Sequence, residues 1–301
     1  MKIAVAASPE VAIPTLEYLF TSEHDLALVI SRPDSQVGRG RELTPTAVSN
    51  WAKEKQVDLY CPNKAADFDE RLKDFDLVIT IGYGLILPKA LLIQPKFGFI
   101  NLHFSLLPKL RGAAPAQRAI IEGLKQTGVT VFQLDEGMDT GPIYVRREFE
   151  IEPGMTAGDL LSSLALLGPE VIAEALTAIE QGDEPIAQDD GQASLAAKLT
   201  KAEARIDWSK ASEEIVNKIL GFAPNPGTTT LFRGEIIRIT KARVSTKRYP
   251  KGNLTLTEGR VFVGTADNAI ELQVVTPAGK KQMDAVAWAN GARFKAGEVL
   301  E

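Results

Sequence analysis

The sequence is poor in the residues that most often carry bond-making chemistry. Of 301 residues, one is cysteine (Cys61) and two are histidine (His24 and His103). A single thiol excludes an intrachain disulfide and a thiolate zinc cluster, and it fits a reducing, cytoplasmic setting. Aromatic residues make up only 7%. No uninterrupted apolar run reaches the ~18 residues that a membrane span needs. Residues 1–7 have neither the length nor the flanks of a signal peptide. Phosphate cradles are missing as well. The first strand–helix turn, Ala6-Ala7-Ser8-Pro9-Glu10, lacks Gly-x-Gly-x-x-Gly, and no Walker A sequence occurs. Gly38-Arg39-Gly40 and Gly82-Tyr83-Gly84 are isolated glycine pairs. Dinucleotide-dependent redox chemistry and nucleotide hydrolysis are therefore disfavoured.

What is present belongs to a folded, two-part protein. Hydrophobic residues are 45% and charged residues 24%, the proportions of a globular chain with a substantial core. The formal net charge of −5 hides an asymmetry. Residues 1–204 hold 19 Lys and Arg against 29 Asp and Glu, whereas residues 205–301 hold 15 against 10. An acidic first part and a basic second part point to two domains with different partners. Small imbalances are also common, so charge alone leaves the matter open.

The first part alternates apolar strands with helices. Residues 2–7, 26–31, 77–81, 97–102, 129–134 and 143–151 read as strands, and 14–21, 46–56 and 113–124 as helices. This order predicts a Rossmann-like α/β domain built on a parallel sheet covered on both faces. Ligands bind outside the carboxyl ends of the strands in such sheets. Thr156-Ala157-Gly158-Asp159 offers a capping oxygen and an acid three residues on, so a helix is expected from Thr156, divided in two by Gly168-Pro169. Residues 182–204 are polar and weakly patterned and read as a linker. Further on, 211–221 has helical spacing, 222–227 forms a turn, and short alternating segments follow at 228–232, 236–243, 260–264, 269–275 and 283–287. They predict a small OB-like β-barrel. The expected organisation is a catalytic domain over 1–181, a linker over 182–204 and a β-barrel domain over 205–301.

His24 follows Glu23 in a polar turn and reads as an ordinary surface residue. His103 closes the strand segment Ile100-Asn101-Leu102-His103, and strand alternation puts Asn101 and His103 on one face. A buried Asn and His that merely fix a loop would give the same pattern. Two further segments favour chemistry. Residues 105–115, SLLPKLRGAAP, form a stiff loop bounded by prolines, and 134–142, LDEGMDTGP, form an acidic loop punctuated by glycine after another strand. An acid in the second loop can orient His103 or raise its pKa.

Asn101-Leu102-His103 with SLLPKLRGAAP, followed by DEGMDTGP, closely resembles the tetrahydrofolate-dependent formyltransferases. The similarity runs through nearly the whole chain. Residues 198–208 (KLTKAEARIDW) and the basic loop at 31–41 are similar to those of members that act on methionyl-tRNA. The resemblance implies catalytic roles for Asn101, His103 and Asp139, and folate contacts from Ser105, Leu106, Leu107 and Pro108. Ala6-Ala7-Ser8 departs from the family's usual Ala-Gly-Thr at the first turn.

The implied reaction moves a formyl group from 10-formyltetrahydrofolate to the amine of methionyl-initiator tRNA. Asn101 would donate to the developing oxyanion. His103 would take the amine proton or act as a charged donor, and the sequence leaves both roles open. The apolar and glycine-rich segment containing Ile81, Tyr83, Gly84 and Leu85 would wall the folate ring. Arg233, Arg238, Lys241, Arg243, Lys247 and Arg248, with Arg32, Arg39 and Arg41 of the first basic loop, would hold tRNA phosphates. A solvated basic face is the plainer reading of the same cations. No metal is required. The chain is expected to act as a cytoplasmic monomer away from membranes. Competing readings are an amino-sugar formyltransferase, a formyltetrahydrofolate hydrolase and a non-catalytic RNA-binding module.

Overall fold

The apolar run after Lys2 forms β1 (Lys2–Ala7), buried from Ile3 onward. It leads through α1 (Ile13–Thr21) to β2 (Asp25–Ile30), and a short hairpin follows, β3 (Ser35–Val37) with β4 (Glu42–Thr44). Next come α2 (Ala47–Lys55), β5 (Leu59–Tyr60), β6 (Leu77–Ile81), α3 (Lys89–Leu92) and β7 (Phe99–His103). The first part ends with α4 (Pro115–Ile121), β8 (Gln126–Gln133), β9 (Ile143–Glu150) and α5 (Ala157–Gln181). The computed structural model describes residues 1–37, 42–68, 70–295 and 297–301. Arg39 and Arg41 lie outside the described residues.

The chain divides into two units. The first comprises Met1–Ala113, Gln126–Glu150 and Leu161–Ala196, and the second Ala114–Lys125, Ile151–Leu160 and Ala197–Glu301. The first unit carries a seven-stranded sheet of order β5-β2-β1-β6-β7-β8-β9. Neighbours from β5 to β7 pair parallel, but β7–β8 and β8–β9 pair antiparallel. The expected Rossmann-like parallel sheet is present from β5 to β7, and the antiparallel β8 and β9 make the whole sheet mixed. β8 and β9 are joined by a direct loop with no crossover, which permits only antiparallel pairing. β9 also alternates between more and less exposed positions, as an edge strand with one wet face does.

Register places the carboxyl ends of β1, β6 and β7 side by side. Ala7 pairs with Ile81, and Thr80 pairs with Asn101. The chain thus leaves β6 at Ile81 next to the last residues of β7. This is where a ligand crevice is expected in such a sheet.

The expected break at Gly168-Pro169 is absent, and α5 runs on through Pro169. Proline in a helix interior costs ~3 kcal/mol. That cost is outweighed by Leu164, Ala165, Val171, Ile172, Ala175, Leu176 and Ile179, which are buried on both sides of it; each large aliphatic side chain contributes ~1.5–3 kcal/mol. Gly168 permits the close approach, since a Cβ there would stand 2.4 Å from Thr15 Oγ1 and 3.0 Å from Leu102 Cδ2. By length and composition α5 could also cross a bilayer. Its buried stripe marks it as a core helix.

In the second unit α6 (Ser212–Phe222) precedes β10 (Thr228–Phe232), β11 (Glu235–Val244), β12 (Leu254–Thr257), β13 (Arg260–Gly264), β14 (Ala269–Pro277), β15 (Met283–Asp284) and α7 (Ala285–Ala292). The sheet is antiparallel, of order β10-β11-β14-β13-β12, with β15 on β14. The C-terminal tail joins its two ends. Leu254 N donates to Glu298 O, Leu300 N to Gly252 O, and Leu231 and Glu301 exchange both backbone bonds. Such closure is compatible with an OB-like barrel. The expected strand over 283–287 is mostly helix, because the Asp284 carboxylate accepts from Val286 N and Ala287 N and caps α7.

Candidate active site

His103 is the last residue of β7, and its side chain is only 6% exposed. Its Nε2 lies 2.9 Å from the Leu110 carbonyl. A carbonyl only accepts, so Nε2 carries the hydrogen and the basic nitrogen of the neutral ring is Nδ1. Nδ1 faces Asp139 Oδ2 at 3.6 Å. Burial pulls the His103 pKa below its ordinary 6.5, while the Asp139 carboxylate and the Leu110 bond pull it back up. Phe132 meets the ring edge-on with centroids 6.3 Å apart.

Asn101 sits two residues earlier on the same face of β7 and is half-buried. Its side chain makes no hydrogen bond among the described residues, so the amide is free to donate. The structure thus places Asn101, His103 and Asp139, all singled out by sequence, around the carboxyl end of one strand.

Two loops hold this arrangement. Leu110 and Asp139 both adopt left-handed backbone, with φ of 59° and 55°, a conformation that costs non-glycine residues ~1–3 kcal/mol. Two glycines make the close approach possible. Gly112, at φ 118°, donates its N–H to Asp139 Oδ2 at 2.7 Å. A Cβ on Gly141 would stand 1.7 Å from the Gln133 carbonyl oxygen.

The predicted folate contacts divide into exposed and buried groups. Ser105 is buried, and its hydroxyl donates to Lys109 O at 2.6 Å. Leu107 is fully buried against Phe132 and Ile143, and its N–H donates to Thr130 Oγ1. Pro108 is buried and Leu106 half-buried. Ile81 and Tyr83 are also buried, Tyr83 within the core cluster of Ala6, Ile30 and Phe68. Its hydroxyl has no hydrogen-bond partner among the described residues, and burial pushes its pKa up to about 12. Gly84 is exposed, Leu85 is half-buried, and the neighbouring Ile86 is 91% exposed. The surface that this loop offers to a ring is therefore Gly84, Leu85 and Ile86 rather than Ile81 and Tyr83. Among the described residues no group of His, Cys, Asp and Glu has the arrangement of a metal site.

Comparison with known proteins gives the family. Residues 1–176 match the family model described as formyl transferase, and residues 198–293 match that of the formyl transferase C-terminal domain. The chain belongs to the formyltransferase family. Relatives similar to this formyltransferase include a methionyl-tRNA formyltransferase of Salinispora tropica, 41% identical over 310 residues and covering 100% of both chains. Another, of Streptomyces griseus subsp. griseus, is 39% identical over 308 residues, covering 100% of this chain and 99% of the relative. A solved N-formyltransferase of Helicobacter canadensis, in complex with folinic acid and dTDP-3-aminofucose, shares the fold. Its TM-score is 0.69 at 20% identity, over 91% of this chain and 99% of its own.

The predicted basic residues of this formyltransferase are less uniform than their sequence. Arg238, Lys241 and Arg243 are exposed on β11 despite their uneven spacing. Register shifts between Ile239 and Ala242 insert the extra residue that keeps all three facing outward. Arg243 is, however, clamped by Glu271 at 2.9 Å, Arg233 by Glu298 at 2.7 Å and Lys247 by Glu258 at 2.9 Å. Arg238, Lys241 and Arg248 carry no ion pair among the described residues. In the first unit Arg32 is half-buried, and its backbone N–H donates to Ser8 Oγ. His24, expected as a surface residue, is half-buried, with Nδ1 3.8 Å from Glu180.

Sequence reasoning missed Gln188, inside the stretch read as a linker. Its Nε2 donates to the Asp139 carbonyl at 2.9 Å and to the Gly141 carbonyl at 2.7 Å. Its Oε1 accepts from Arg111 Nε at 3.1 Å and Nη2 at 2.7 Å. A cavity of about 430 Å³ borders the segment that carries it, lined by Pro108, Arg146 and Gln188 among others. Asn101, His103 and Asp139 are not among its walls. A polar segment without periodicity gives no local sign of such long-range bonds.

With only two imidazoles in the chain, histidine NMR resolves the site directly. His103 is expected to titrate below 6.5. Any function that needs its neutral ring then persists as pH falls through 6.5 and is lost only below that. A midpoint at or above 6.5 contradicts the burial described here.

Proposed function

We propose that this formyltransferase moves the formyl group of 10-formyltetrahydrofolate to the amino group of methionyl-initiator tRNA, giving N-formylmethionyl-tRNA for translation initiation. Support for the substrate comes from full-length relatives at about 40% identity that bear the name methionyl-tRNA formyltransferase. Support for the chemistry comes from one observation above all: a free side-chain amide and a buried basic nitrogen share a strand end with a carboxylate.

The attacking amine must be neutral, since an ammonium has no lone pair. The folate supplies an activated formyl carbon. As the amine bonds to that carbon, negative charge grows on the formyl oxygen, and Asn101 donates to it; removal of such a donor costs ~10²–10³ in rate. The amine loses a proton as it bonds. Nδ1 of His103 receives it, because Nε2 is occupied by Leu110. The resulting imidazolium stands beside the Asp139 carboxylate, which offsets its charge in a water-poor setting. The same proton then passes to the departing folate nitrogen. Of the two roles left open by sequence, the hydrogen-bonding pattern favours His103 as proton acceptor.

In this reading residues 1–181 carry the transfer, residues 205–301 hold the tRNA, and 182–204 connects them. Exposed Gly84 and Ile86 and half-buried Leu85, with Leu106 and the backbone around Ser105, Leu107 and Pro108, receive the folate. Arg238, Lys241 and Arg248 are the cations with charge to spare for phosphates, with Arg32, Arg39 and Arg41 near the acceptor end. The enzyme works in the cytoplasm as a monomer.

Purified protein is expected to formylate charged initiator tRNA with 10-formyltetrahydrofolate as donor. His103→Ala should lower kcat/KM by ~10²–10⁴ while tRNA binding is retained. Product formed from an amino sugar but not from that tRNA would overturn the substrate, and undiminished turnover by His103→Ala would overturn the mechanism. Salt titration separates free from paired cations. Replacing Arg238 and Lys241 with Ala should flatten the salt dependence of tRNA binding, by ~0.7–0.9 in the log–log slope for each phosphate no longer neutralised. Arg243→Ala, already clamped by Glu271, should leave the slope nearly unchanged. Equal slopes for all variants would reduce this face to a solvated surface.

A further inference from the structure

We propose that Gln188 is a positioning residue for the transfer: its side-chain amide holds the loop that sets the Asp139 carboxylate beside His103. The inference rests on the reading of His103 and Asp139 as the acting pair.

A primary amide offers two N–H donors and an oxygen with two lone pairs. Gln188 uses all four. Both N–H groups go to carbonyls that flank the turn at Asp139, those of Asp139 itself and Gly141. Both lone pairs go to Arg111. The orientation of the amide is unambiguous, since a guanidinium has only donors and a peptide carbonyl only accepts. Gln188 has no second way to sit between these partners.

Arg111 is itself held in place. It is 7% exposed, and its Nη2 also reaches Asp190 Oδ1 at 2.8 Å. Its backbone N–H donates to Ser194 O at 2.8 Å, and its carbonyl accepts from Ala196 N at 2.6 Å. Upstream, Ile186 pairs antiparallel with Ile143. Residues 186–196 therefore form a strap anchored at both ends, with Gln188 as its contact to the Asp139 turn.

That turn needs a constraint. Asp139 is a non-glycine residue at φ 55°, and among the described residues the one N–H that reaches its carboxylate is that of Gly112. Relaxation of its backbone toward a right-handed conformation would swing the carboxylate away from Nδ1. Among the described residues Asp139 is the charged group within 4 Å of the His103 ring, so its retreat leaves the buried imidazole without that support. Misplacement of a catalytic group by about 1 Å costs on the order of 10²-fold in rate.

Two substitutions separate positioning from packing. Gln188→Met conserves volume and removes both donors. Gln188→Glu keeps the shape and strengthens the bond to Arg111, but turns an oxygen toward two carbonyl oxygens. Both are measured for kcat and for folate KM in the formylation assay, and for the His103 midpoint by NMR. We expect kcat to fall on the order of 10–100-fold with KM nearly unchanged. The His103 midpoint should move down. Wild-type kcat in Gln188→Glu would show that anchoring Arg111 is the whole role and overturn the proposal. Loss of kcat with an unmoved His103 midpoint would reduce Gln188 to general structural support and overturn it equally. Asp139→Asn and His103→Ala serve as controls. If they turn over at the wild-type rate, the reading of the pair fails and this inference with it. If they are impaired while both Gln188 variants behave as wild type, the inference alone fails.

Discussion

The proposed chemistry depends on how one imidazole divides its two nitrogens. Leu110 takes the Nε2 hydrogen, which leaves Nδ1 as the basic atom, and Asp139 stands opposite it. A buried neutral histidine with one committed nitrogen can gain a proton at one place only. The neighbouring carboxylate then decides how costly that proton is to hold. Burial and the carboxylate pull the His103 pKa in opposite directions, and burial prevails. The neutral ring is therefore favoured near neutral pH.

This division is maintained against local backbone preference. Leu110 and Asp139 are both non-glycine residues in the left-handed region. Strain of this kind persists where surrounding bonds over-determine the conformation. Here the restraints are the Gly112 N–H on the carboxylate, the tight seat of Gly141 against Gln133, and the bonds that the 186–196 strap makes to both loops. The sheet contributes the base of the site. Pairing of Thr80 with Asn101 sends the loop after β6 out beside the end of β7.

Much of this was legible in the sequence because it is local. Alternation put Asn101 and His103 on one face, and the turn chemistry of LDEGMDTGP supplied an acid. Ten of the eleven predicted strands and the first helices fall within a few residues of their places. What sequence missed is long-range. Strand direction at β8 and β9 follows from pairing, not from composition. Pro169 stays inside α5 because buried residues on both sides outweigh its cost. Asp284 turns an apparent strand into a capped helix. A row of basic residues on β11 carries less free charge than its count implies, since Glu271 is 28 positions from the Arg243 it neutralises. Gln188 lies in a polar segment, and its four hydrogen bonds span 47 to 77 residues.

The most direct test of the account is the tautomer of neutral His103, read from the ¹⁵N chemical shifts of its two ring nitrogens above its titration midpoint. A proton-accepting His103 requires hydrogen on Nε2 and a bare, pyridine-like Nδ1 facing Asp139. A ring protonated at Nδ1 would place the basic nitrogen against the Leu110 carbonyl, away from any substrate, and contradict the assignment of His103 as proton acceptor.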